Sequence, residues 1–110
     1  MMRIIYNKII PFKGFKAVNL FGFLFARKKL SEDEIRHEEI HSLQMKEMLY
    51  VGFYIWYCVE WLIRFFLCWN AKRAYFNISF EREAYLFQGS PSYLEERKHY
   101  SWFHYLKQKI

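Results

Sequence analysis

Ser31-Glu32-Asp33-Glu34-Ile35-Arg36-His37-Glu38-Glu39-Ile40-His41 is the stretch where the chain turns from an extended to a helical pattern. Ser31 and Glu34, three apart, form a capping-box pair: the hydroxyl accepts from the third helical N–H and the carboxylate reaches back to the cap's own N–H. Glu32, Asp33 and Glu34 place negative charge on the first turn, where the helix dipole favours it. A helix is therefore predicted to start here, with His37-Glu38-Glu39-Ile40-His41 inside it. Residues four apart on a helix are offset by about 40°, so His37 and His41 leave one face a turn apart and suit two imidazole ligands of one tetrahedral zinc. Glu38 lies about 100° round. That is too far to join the pair as a ligand, but it lets the carboxylate reach water on the metal and act as general base. The competing reading is two exposed histidines on a charged helix.

Upstream, Ile4, Ile5, Ile9 and Ile10 are β-branched, Pro11 to Gly14 has turn chemistry, and Val18 to Ala26 is an apolar run containing Gly22. Two or three short strands are predicted. This segment also carries the charge: residues 1–30 hold seven basic side chains and no acid, in a chain of net charge +6. Such a field suits an anionic partner or lipid surface, or blunts a sheet edge. No RRM, KH or helix-turn-helix pattern accompanies it, so nucleic acid is not an expected partner. The start has no apolar stretch of signal-peptide length. Two cysteines, Cys58 and Cys68, cannot build a disulfide framework, which fits a reducing, cytoplasmic setting.

Downstream, 19 of the 21 residues from Leu49 to Trp69 are uncharged, a length that would cross a bilayer. Glu60 and Arg64 lie four apart, where they can pair. The stretch is therefore read as a core helix whose surplus aromatics face a membrane surface or a second copy of the chain. Ser79 or Asn77 is the expected N-cap of a helix through Glu81-Arg82-Glu83-Ala84-Tyr85-Leu86. Gly89-Ser90-Pro91 closes it, with Pro91 opening a final aromatic helix from Tyr93 to Leu106.

In total, 110 residues with 54% apolar and 23% aromatic content, four glycines and two prolines exclude disorder and linker-dominated chains. One domain over 1–110 is expected, α+β in class, with short N-terminal strands packed on three to four helices.

Two histidines need a third protein ligand. Glu60, Glu81, Glu83, Glu95, Glu96, His99 and His104 are the candidates, and spacing alone leaves them open. Here the sequence resembles the gluzincin metallopeptidases. It looks most like their membrane-associated branch, the prenyl-protein and heat-shock-linked zinc proteases, whose H-E-x-x-H helix is followed by a helix bearing E-x-x-A-D. The resemblance covers residues 37–41 and 80–85, in a chain far shorter than those proteases. It implies a minimal zincin-like domain in which His37, His41 and Glu81 hold Zn2+ and Glu38 is the catalytic base. Tyr85 stands where the family has aspartate, so the carboxylate that orients a ligand imidazole must come from elsewhere, with Glu83 a candidate.

The resemblance also implies an edge strand, within Val18 to Ala26, that holds an extended peptide beside the metal helix. Tyr85, Tyr93, Tyr100, His99 and His104 are candidates for polarising the substrate carbonyl, and Gln44 for a position near the ligands or on the surface. The expected function is zinc-dependent hydrolysis of a peptide bond through a zinc-bound water. The alternative is a catalytically weak zinc module that binds a protein or a membrane.

Overall fold

A computed structural model describes residues 3–7 and 17–106. The turn expected at Pro11 to Gly14 and the strand residues Ile9 and Ile10 lie outside the described residues. The protein is a small α+β domain, mainly helical. Strands β1 (Arg3–Tyr6), β2 (Ala17–Leu20) and β3 (Phe23–Ala26) form a sheet in the order β1-β3-β2. β3 is parallel to β1 and antiparallel to β2, with Ala17 opposite Ala26 and Leu20 opposite Phe23. Helices α1 (Glu32–Glu47), α2 (Val51–Cys68), α3 (Ala71–Phe76), α4 (Ser79–Phe87) and α5 (Tyr93–Glu96) follow, then a 3-10 turn at Ser101–Tyr105.

The apolar run from Val18 to Ala26 folds back on itself because Phe21 and Gly22 both take positive φ, 54° and 93°. Two such residues in succession match the twist of a two-residue hairpin. The Asn19 side chain accepts from the Gly22 N–H at 3.0 Å and donates to the Glu38 carbonyl and the Ser42 hydroxyl, each at 3.0 Å. One amide thus closes the hairpin and pins its edge strand to α1 beside the histidines.

The Ser31–Glu34 capping box forms as expected, with bonds of 3.2 and 2.9 Å. α1 ends in a reversal at Leu49 and Tyr50, both at positive φ. α2 then runs back with Phe53, Glu60 and Arg64 buried. The core between these helices is Met45, Phe53, Ile78, Phe80 and Trp102, and a smaller cluster of Leu24, Ala26 and Leu30 joins the sheet to Ile35 of α1.

Three local expectations are corrected. Neither Asn77 nor Ser79 caps α4 with its side chain. Ile78 is the cap residue, and the buried N-terminus is satisfied from α2, where Glu60 accepts from the Ser79 N–H at 2.6 Å and the Ser79 hydroxyl at 2.7 Å. Pro91 sits in a turn two residues ahead of α5 rather than at its start. The helix expected over Tyr93 to Leu106 is one turn long. Arg97 leaves it in extended conformation (ψ 134°) because its guanidinium is drawn inward onto Glu83 and Glu47. The chain then turns at Tyr100 (φ 59°) to bury Trp102.

Candidate metal centre

α1 and α4 bring three ligand-type side chains together, all buried: His37, His41 and Glu81. His37 Nε2 and His41 Nε2 lie 3.1 and 3.0 Å from the same oxygen, Glu81 Oε1, and 3.1 Å from each other. Zinc about 2.0–2.1 Å from each of three donors in tetrahedral array needs them about 3.3–3.4 Å apart. The observed triangle is within a few tenths of an ångström of that size, so the residues fit a small tetrahedral cation. The 39 residues between His41 and Glu81 are spent on running α2 out and returning through α3, which sets α4 against α1.

The remaining atoms of the three groups are also held. His41 Nδ1 meets Gln44 Oε1 at 2.7 Å, and His37 Nδ1 meets Gln88 Oε1 at 2.8 Å. Amide and carboxylate oxygens only accept, so in the metal-free protein His41 turns its Nδ1–H to Gln44 and its Nε2–H to Glu81 Oε1. The second oxygen of Glu81 accepts from the Tyr57 hydroxyl at 2.7 Å. Two glutamines and a tyrosine therefore orient the ligand set. Glu83 does so one step removed: fully buried, it accepts from the Gln44 amide at 3.0 Å and is not part of the cluster.

Burial alone would lower His41, but the Glu81 carboxylate, by charge and hydrogen bond, lifts it to about 9. Burial would likewise raise Glu81, and the two histidines overcome it and hold that carboxyl well below the usual range. In the metal-free cluster the His41 proton supplies positive charge that a cation would bring. Glu38 behaves in the opposite sense: burial raises it, only partly offset by His41 and His37. Its carboxylate has no hydrogen-bond or ion-pair partner among the described residues and borders a cleft of about 340 Å³.

That cleft runs between β2 and α2, with Ala17, Val18 and Asn19 on one side, Phe53, Tyr54 and Tyr57 on the other, and His41 and Glu81 at its floor. β2 is an edge of the described sheet. Tyr75 also lines the cleft, its hydroxyl 3.0 Å from that of Tyr85, whose ring packs edge-on against His37 at 4.4 Å. Burial, then the nearby Glu81, raises Tyr75, which keeps its proton to donate.

The other candidates are placed elsewhere. Glu60 pairs with Arg64 at 3.5 Å and caps α4. Glu95 and Glu96 are exposed, and Glu96 accepts from Ser92. His99 is exposed beside Glu47, and His104 packs on Tyr105. Tyr93 donates to Glu83 and Tyr100 to the Glu47 carbonyl, so neither is available at the cleft. Gln44, read as near the ligands or on the surface, is wholly buried against His41. Gln88, Tyr57 and Tyr75 were not among the sequence candidates, because nothing in their spacing separates them from ordinary helix-face and core residues. No family model, curated protein or solved structure matches the chain.

Proposed function

We propose that the chain is a zinc-dependent metallopeptidase with His37, His41 and Glu81 as the metal ligands and Glu38 as the general base. The observation that carries this reading is the convergence of two Nε2 atoms and one carboxylate oxygen within 3.1 Å, beside a cleft-facing Glu38 with no partner among the described residues. Zinc, when bound, supplies a Lewis acid that polarises a carbonyl and makes water nucleophilic near neutral pH. Glu38, raised by burial, takes the proton of the attacking water and delivers it to the departing amine. Tyr75, neutral and at the cleft wall, donates to the carbonyl oxygen as negative charge grows there. The edge of β2 offers main-chain groups to an extended peptide. The cleft, about 340 Å³ and walled on one side by Phe53, Tyr54 and Tyr57, suits a short peptide strand rather than a folded substrate. The test is hydrolysis of a fluorogenic peptide library by the zinc-loaded chain: Glu38→Gln abolishes cleavage while zinc stays bound, and a wild-type chain that binds zinc yet cleaves nothing removes the peptidase reading in favour of a zinc staple.

The outer face of α2 favours a second property, docking of the domain onto a lipid bilayer. Its 18 residues span about 27 Å, close to the thickness of the hydrocarbon core. Glu60 and Arg64, whose charges argued from sequence against a bilayer-crossing span, both point inward and are buried, with Arg64 donating to the Leu106 carbonyl at 2.9 Å. What faces outward is Ile55, Val59, Leu62, Ile63, Phe66 and Leu67, about half exposed or more. Exposed Lys46 at one end and Lys72 and Arg73 at the other suit anionic headgroups. Cys58 and Cys68 as free thiols fit the reducing, cytoplasmic side. Flotation with anionic vesicles is expected and should be lost in Ile63→Glu/Phe66→Glu. A soluble dimer that ignores vesicles would assign this face to a second copy instead.

A further inference from the structure

We propose that Glu83, clamped by Arg97, sets the tautomer of His41 through Gln44 and thereby decides which ring nitrogen is offered to a metal. This rests on the reading that His37, His41 and Glu81 are the ligand set. Gln44 is the pivot. Its Nε2 donates to the Phe80 carbonyl at 3.1 Å and to Glu83 Oε1 at 3.0 Å, and its Oε1 faces His41 Nδ1 at 2.7 Å. A carbonyl and a carboxylate only accept, so the two amide hydrogens have one orientation in which both are used. Turning the amide over would set its oxygen against two acceptors in a site with no access to water, where unpaired polar contacts are costly. The upright amide presents oxygen to His41, which must then keep its proton on Nδ1, so that Nε2, whose proton faces Glu81, is the nitrogen that yields to a metal. The inverted amide would present N–H to Nδ1 and keep the ring's last proton on Nε2, which blocks coordination.

What keeps Glu83 a pure acceptor is its own saturation. Its four lone-pair sites receive Gln44 at 3.0 Å, Tyr93 at 2.6 Å, and the Arg97 Nε and Nη2 at 2.5 and 3.1 Å. Arg97 is fixed in turn by a two-pronged bond to Glu47, 3.0 Å on each prong. This also gives a purpose to the break after α5, since a continuous helix would not bring Arg97 inward. His37 has no such device. Its partner Gln88 is half-buried, and the Gln88 amide nitrogen has no partner among the described residues, so its orientation is not enforced. Glu83, Arg97 and Gln44 are positioning residues that act on the metal through His41.

The test is zinc affinity of the full chain by competition with a chromophoric chelator, for wild type, Glu83→Gln and Gln44→Glu/Glu83→Gln. The single variant gives residue 83 an amide that no longer forces Gln44 upright, and zinc binding should weaken by about tenfold or more. The double variant puts a carboxylate at 44 that accepts from His41 and from the amide at 83 but loses the donation to the Phe80 carbonyl, so affinity should recover in part. Wild-type affinity in a folded Glu83→Gln, or no recovery in the double variant, overturns the proposal. If Glu83→Gln fails to fold, or wild type binds no zinc, long-range nitrogen NMR of the neutral His41 ring in metal-free Glu81→Ala, which lacks the carboxylate facing Nε2 and leaves Gln44 to place the proton, decides it. Hydrogen on Nδ1 supports the proposal and hydrogen on Nε2 sinks it, whether or not the peptidase reading survives.

Discussion

The Tyr57 hydroxyl donates to Glu81 Oε2 at 2.7 Å, on the side of the carboxylate that faces away from the two histidines. One oxygen is thereby committed to α2 and the other left to the cluster. Removing the hydroxyl frees Glu81 to rotate or to use both oxygens at once. Tyr57→Phe keeps the ring packed on Phe53 and on Phe80 of α4 and should weaken zinc binding by about tenfold. Isothermal titration with zinc measures this, and an unchanged affinity would show that α4 alone fixes the carboxylate.

Metal-free and zinc-loaded protein should respond to pH with opposite sign. Glu81 is depressed below its unfolded value of 4.5, so its contribution to stability is present above that pH and is lost as pH falls through the folded value. His41 is raised from 6.5 to about 9, so its contribution is complete below 6.5 and is lost as pH rises through 9. The metal-free chain therefore gains most from this cluster between 4.5 and 6.5 and less from there to 9. Zinc must displace the His41 proton, so its affinity should rise by about tenfold per pH unit between 7 and 9. Thermal unfolding with and without zinc across this range should give diverging curves.

Glu60 serves three groups at once: Arg64, the N-terminus of α4, and the Trp56 indole at 3.2 Å. Glu60→Ala removes the carboxylate beside a buried guanidinium and uncaps α4, and should cost about 3–5 kcal/mol in urea unfolding. Glu95→Ala, on the exposed face of α5, should stay within about 0.5 kcal/mol of wild type. Because α4 carries Glu81, the first substitution should lower zinc affinity as well.

Asn19 ties the hairpin to α1 through two donors and closes its turn with one acceptor. Asn19→Ala should destabilise the domain by about 1–3 kcal/mol and speed hydrogen exchange in β2 ahead of β3. Equal protection in the two strands would mean that the sheet is anchored elsewhere.

How far these features were legible in the sequence depended on the range of the interaction. The α1 start was readable because Ser31 and Glu34 act over three residues, and the histidine pair because helical spacing is fixed by geometry. Glu81 could be named only by resemblance, since its approach depends on the path of α2 and α3. The α4 cap and the end of α5 were misread for one reason: their deciding partners, Glu60 for Ser79 and Glu47 for Arg97, are 19 and 50 residues away. Gln44 and Gln88 carry no spacing signal, because an amide that orients an imidazole looks like any helical glutamine until the facing side chain is known. The inward aim of Glu60 and Arg64 was equally hidden, since helical spacing shows that the two share a face but not which way that face is turned.

Elemental analysis of the purified chain and its variants after zinc loading and desalting decides most about this protein. One zinc per chain is expected in wild type, Glu38→Gln and Glu95→Gln, with clear loss in His37→Ala, His41→Ala and Glu81→Ala. Equal zinc in all six, or none in wild type, would contradict a metal centre built from these three side chains.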